Sequence, residues 1–100
     1  MNLIYEDKLI EYMKHHNKSN ILVEVIQSNA SDFEVTELHL RFISEKAAEN
    51  MTTKQRYRRV EAPFGGLLMP PYRLEVADTV NLYLKKFGFI HWIKQVGIKL

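Results

Sequence analysis

Ile21-Leu22-Val23-Glu24-Val25-Ile26-Gln27, then Ser28-Asn29-Ala30-Ser31-Asp32, then Phe33–Ile43, is the stretch on which the fold turns. The first seven residues are apolar on both faces of an extended chain, with Ile21, Val23 and Val25 on one and Leu22 and Ile26 on the other. A strand with two apolar faces belongs inside a sheet rather than at its rim. The five residues after it are turn formers. Phe33–Ile43 then alternates, Leu38, Leu40 and Phe42 opposing Glu37, His39 and Arg41. Two such strands joined by a short polar loop pair most simply as a hairpin. Glu24 interrupts the first strand. It is either a solvated carboxylate at a sheet rim, the reading we favour, or a buried one that needs a partner such as Arg41.

Working outward, residues 5–17 read as a helix with Tyr5, Leu9, Tyr12, Met13 and His16 on one face. Ser44 can cap a short helix over Glu45–Met51. Lys54–Glu61 alternates without an apolar face and suits an exposed strand, and Ala62–Tyr72 is a loop punctuated by Pro63, Gly65-Gly66 and Pro70-Pro71. Arg73–Val76 reads as a short strand and Thr79–Lys85 as a clear one, with Val80, Leu82 and Leu84 inward. Phe87–Val96, strand or short helix, is ended by Gly97, and its Phe87, Phe89 and Trp92 are expected to pack the core, with some of that mass free to form a homodimer face instead. The predicted class is α+β: one domain over 1–100, with a mostly antiparallel sheet, an N-terminal helix and one further short helix.

Composition removes whole classes of function. The chain has no cysteine, which excludes disulfide frameworks, thiolate zinc sites, cysteine-held clusters and cysteine nucleophiles. Its formal charge is +2, so binding to nucleic acid needs a local basic patch. No apolar run approaches the roughly 20 residues of a membrane span, and the N-terminus lacks the basic and apolar regions of an export signal. We therefore expect a cytoplasmic protein without membrane contact. No GxGxxG, GxxxxGK[ST], HExxH or GxSxG pattern occurs. His15 and His16 are adjacent and diverge by about 100° on a helix, while His39 and His91 stand apart. No metal, cofactor or catalytic residue is expected, and the chain reads as a non-enzyme.

Two segments remain as candidate binding sites. Phe64, Leu67, Leu68, Met69 and Tyr72 crowd the Ala62–Tyr72 loop; folded inward they form a lid, and exposed they would hold a protein partner. Lys54, Arg56, Tyr57, Arg58 and Arg59 form a basic stretch. In a strand, Lys54, Arg56 and Arg58 would line one side at about 6.6 Å spacing and could track a phosphate backbone, with Tyr57 free to stack on a base. The competing reading is an edge strand kept unpaired by its charge. The first expectation is a protein-interaction module, with self-association included. The alternative is a nucleic-acid-binding domain on residues 54–59. An enzyme taking a small acidic substrate over Arg58, Arg59 and Arg73 has only those charges in its favour.

The helix over 5–17 followed by Ile21–Ile26, together with Tyr72-Arg73-Leu74 through Leu84-Lys85-Lys86-Phe87 and Val96-Gly97-Ile98, resembles the HesB/IscA group of small iron–sulfur biosynthesis proteins. The resemblance spans much of the chain and implies a related fold. That group's cluster or redox residues are cysteines, and this chain has none to receive them, so the chemistry does not carry over.

Overall fold

The structure, a computed structural model, describes residues 2–30 and 33–100. Among them the chain forms β1 (Asn2–Tyr5), α1 (Asp7–His15), β2 (Asn20–Ala30), β3 (Phe33–Ile43), α2 (Glu45–Lys54), β4 (Arg58–Glu61), β5 (Gly66–Met69), β6 (Glu75–Phe87) and β7 (Ile90–Lys99). The class is α+β, but the strands form two sheets rather than one. A three-stranded sheet runs β1-β6-β7 and a four-stranded sheet runs β3-β2-β5-β4. Each is mixed: β1 joins β6 in parallel and β5 joins β2 in parallel, while the remaining pairs are antiparallel.

The first part of β2 lies between β3 and β5, with Asn20–Val23 buried, whereas Ile26 and Gln27 are exposed. Ile21 and Val23 enter the main core with Leu9 and Met13 of α1 and Val80 and Leu82 of β6. Leu22, on the opposite face, packs with Leu68, Ile43 and Ala48 of α2. Burying each such side chain contributes on the order of 1.5–3 kcal/mol. The β2–β3 hairpin forms as expected, with strand pairing from Asn20↔Ile43 to Ala30↔Phe33. Ser28–Ala30 therefore extend the strand instead of turning, and Ser31 and Asp32 lie outside the described residues.

Other boundaries move for local reasons. Tyr5 ends β1, a four-residue strand too short to show a period, and α1 starts only at Asp7. Asp7 early and Lys14 and His15 late suit the helix dipole. Ser44 does cap α2, its Oγ accepting from the Ala47 amide at 3.1 Å. That helix runs on past Met51 to Lys54, where the Thr52 and Thr53 hydroxyls donate back to the Glu49 carbonyl at 2.9 and 2.8 Å. Arg73–Val76 and Thr79–Lys85 are not separate strands: β6 runs unbroken over Glu75–Phe87, with Val80 and Leu82 fully buried. Gly97 does not end β7 but sits inside it, at an irregularity in the β6–β7 register.

Candidate functional site

The Phe64–Tyr72 segment is not an open loop. Gly66–Met69 form β5 between β2 and β4, and Leu67 and Leu68 are 0% exposed. A short apolar run flanked by glycine and proline is also what a buried parallel strand looks like, and here that option wins. Met69 is buried and Phe64 packs against the main core, with the Lys14 ammonium 5.7 Å from its ring centroid. Of the five residues expected to hold a protein partner, Tyr72 alone is well exposed, beside a cleft of about 340 Å³ that Val25 and Gln27 also line.

The basic stretch is broken up as well. Lys54 closes α2, Arg56 takes a left-handed backbone (φ 60), and the strand begins at Arg58. Lys54, Arg56 and Arg58 therefore do not form a row. Tyr57 packs under α2, and burial raises its phenol above the ordinary pKa, with the Glu24 carboxylate adding to the shift. Arg59 Nη1 donates to Glu45 Oε1 at 2.7 Å. That pair belongs to a polar junction beside a cleft of about 370 Å³, where the buried Asn20 amide donates to Glu45 Oε2 at 2.8 Å. The junction ties β2, α2 and β4 together, and its groups satisfy one another.

Glu24 has the partner named for it: Arg41 Nε donates to its carboxylate at 2.6 Å. Arg41 is exposed, so the pair lies at the sheet surface and contributes at most about 1 kcal/mol. His39 lies 2.7 Å from Glu37. His16 and His91, far apart in sequence, both lie against the Tyr12 ring, with centroids 4.3 and 4.9 Å away. Among the described residues no group of three or more acidic or histidine side chains could hold a metal ion. No helix of the described residues is long and apolar enough to cross a membrane.

The unusual surface lies where the core was expected. Phe87 is 77% exposed, Phe89 102% and Trp92 45%. Register explains this. Leu84↔Ile93 is an inward pair, so the neighbouring pairs Tyr83↔Lys94, Lys85↔Trp92 and Phe87↔Ile90 face outward. Asn81↔Val96 and Ile4 of β1 continue the same outer face. Ile4, Ile90 and Val96 are exposed there beside the aromatic side chains, and no element among the described residues covers them. No family model, curated protein or solved structure matches the chain. The resemblance to the HesB/IscA group stands on its sequence stretches alone.

Proposed function

We propose that this chain is a non-catalytic module that binds another macromolecule, a protein, through the outer face of the β1-β6-β7 sheet. The observation that carries the reading is the exposure of Ile4, Phe87, Phe89, Ile90, Trp92 and Val96 on one face and its hairpin tip. Large contiguous apolar surfaces are uncommon on free monomers and mark interaction sites, and aromatic side chains are enriched at interface centres. The site differs from the Phe64–Tyr72 segment first expected, because Leu67, Leu68 and Met69 are spent on the monomer's own core. The nucleic-acid reading of residues 54–59 loses its support with the row of cations on which it rested.

A photo-crosslinking amino acid placed at Phe89, and in a second variant at the exposed Lys46 of α2, tests the reading in cells. A discrete protein adduct from position 89 and none from 46 is the expected result. Adducts that are equal at both positions, or that are nucleic acid, refute it.

A further inference from the structure

The outer sheet face is a grid whose chemistry selects its occupant. Directly opposed residues of an antiparallel pair stand about 5 Å apart at Cβ and diagonal ones about 7–8 Å. Lys85 opposes Trp92 and Lys94 opposes Tyr83, so the two lysines are diagonal neighbours, each beside an aromatic ring. The Lys85 ammonium lies 5.7 Å from the Tyr83 ring centroid, which holds it against the face. No Asp or Glu occurs beyond Asp78 in the sequence, and Glu6, which follows β1, has its carboxylate on the Leu84 amide at 3.3 Å. The ion pairs among the described residues, His39–Glu37, Arg41–Glu24 and Arg59–Glu45, do not involve either lysine.

An uncharged apolar partner would bury two ammonium groups without counter-ions, at a cost of several kcal/mol each. A second copy docked on the same face would bring the lysines of the two copies together, which is also unfavourable. The partner must therefore supply carboxylates as well as apolar side chains.

Dimensions narrow its form. Three strands at about 4.8 Å spacing make a face about 10 Å wide between its outer strands, the diameter of one helix with its side chains. Strand addition at the β7 edge is hindered, because His91, Trp92 and Ile93 share a cleft with Leu40, Arg41 and Phe42 of β3. A helix on an uncovered sheet face is also the layer that α+β domains ordinarily supply.

Resting on the protein-binding reading above, the geometry points to an acidic amphipathic helix as the occupant. Its apolar stripe lies over Trp92, Ile90 and Val96, and carboxylates one turn apart meet Lys85 and Lys94. The fit is direct: side chains at i and i+4 of a helix are about 5–6 Å apart at Cβ, a gap that flexible lysines span.

The test uses two labelled synthetic helices of about 16 residues with the same leucine stripe, one flanked by glutamates and one by lysines, and oligothymidylate as a third probe. Trp92, the chain's single tryptophan, reports occupancy of the face by fluorescence. The expected result is that the glutamate helix binds and shifts Trp92 emission, that Lys85→Glu/Lys94→Glu weakens it about ten-fold or more, and that this variant prefers the lysine helix. Both positions are exposed, so circular dichroism should show the variant folded. Equal binding of both helices overturns the charge selection and leaves the protein-binding reading intact. Binding of neither helix overturns the inference, and if oligothymidylate alone quenches Trp92, the protein-binding reading falls with it.

Discussion

Gly97→Ala should be among the most damaging single-methyl changes in this chain. Gly97 has φ +120, a backbone region that L side chains rarely adopt, and a Cβ there would stand 2.7 Å from the Thr79 carbonyl oxygen and 3.1 Å from the Val80 Cα. It opposes a β6 segment in which the register jumps, from Val76↔Ile98 to Asn81↔Val96. That segment cannot retreat, because on its other side Thr79 and Val80 pair with Asn2 and Leu3 of β1. The backbone strain costs about 1–3 kcal/mol and the forced shift of packed atoms about as much again, together about 2–6 kcal/mol. For a domain of this size that removes a large part of the total and lowers Tm by roughly 10–30 °C. Gly88→Ala is the control: φ is +62, but nothing lies within 4 Å of its added Cβ, so it should lose only about 1 kcal/mol. Urea unfolding monitored by circular dichroism, with m unchanged between variants, measures both. A Gly97→Ala protein within about 1 kcal/mol of wild type, or a Gly88→Ala loss of equal size, would refute the reasoning.

Burial and charge lead to three further outcomes. Leu82→Ala, at a fully buried site, should cost about 2–5 kcal/mol in urea unfolding, while Phe89→Ala should change stability by less than about 0.5 kcal/mol; similar losses would return Phe89 to the core. The Tyr5 hydroxyl is buried without a hydrogen-bond partner among the described residues, and burial raises its pKa; Tyr5→Phe should therefore stabilise the fold by about 1 kcal/mol, and a loss of that size would reveal a partner. The Glu45 carboxyl is held below its ordinary pKa by the Asn20 amide first and Arg59 next. A folded pKa below the unfolded one gives stability that is present above the unfolded value and lost as pH falls through the folded one. Glu45→Gln should flatten the acid limb of a stability–pH profile, and superimposable limbs would show that the junction contributes nothing through charge.

The sequence was legible where period and burial agree. Ile21–Gln27, with two apolar faces, reads as an inner strand, and its first residues are one, with β3 and β5 on either side of Ile21 and Leu22; Ser44 reads as a cap and caps; Val80 and Leu82 read as inward and are fully buried. It misled where short segments carry little period. Asn2–Tyr5 and Gly66–Met69 are each four residues long, and each gains a parallel partner distant in sequence, β6 for the first and β2 for the second. The basic stretch failed differently. Its alternation is real, but α2 consumes Lys54 and a left-handed turn consumes Arg56 before any strand begins. The meeting of His16 and His91 at Tyr12 is a tertiary event for which no local pattern exists.

The exposure of the aromatic side chains was within reach of the sequence. Once Val80, Leu82 and Leu84 point inward, strict alternation sends Tyr83, Lys85 and Phe87 outward. Gly88-Phe89 between two apolar runs is a two-residue hairpin loop with glycine first, which sets the register of the returning strand. Phe87↔Ile90 closes that turn, and Trp92 then opposes Lys85 on the outer face. A slip of one residue would bring Trp92 inward, but it would also turn the buried Ile93 out to water. The inner face is already filled by Leu82, Val80, Ile93 and Ile98 against α1 and the other sheet. Bulk alone favoured the core for Phe87 and Trp92, yet parity and register outrank bulk in a sheet. With α2 committed to the four-stranded sheet and α1 to the space between the sheets, the described chain has no helix left to cover the third layer.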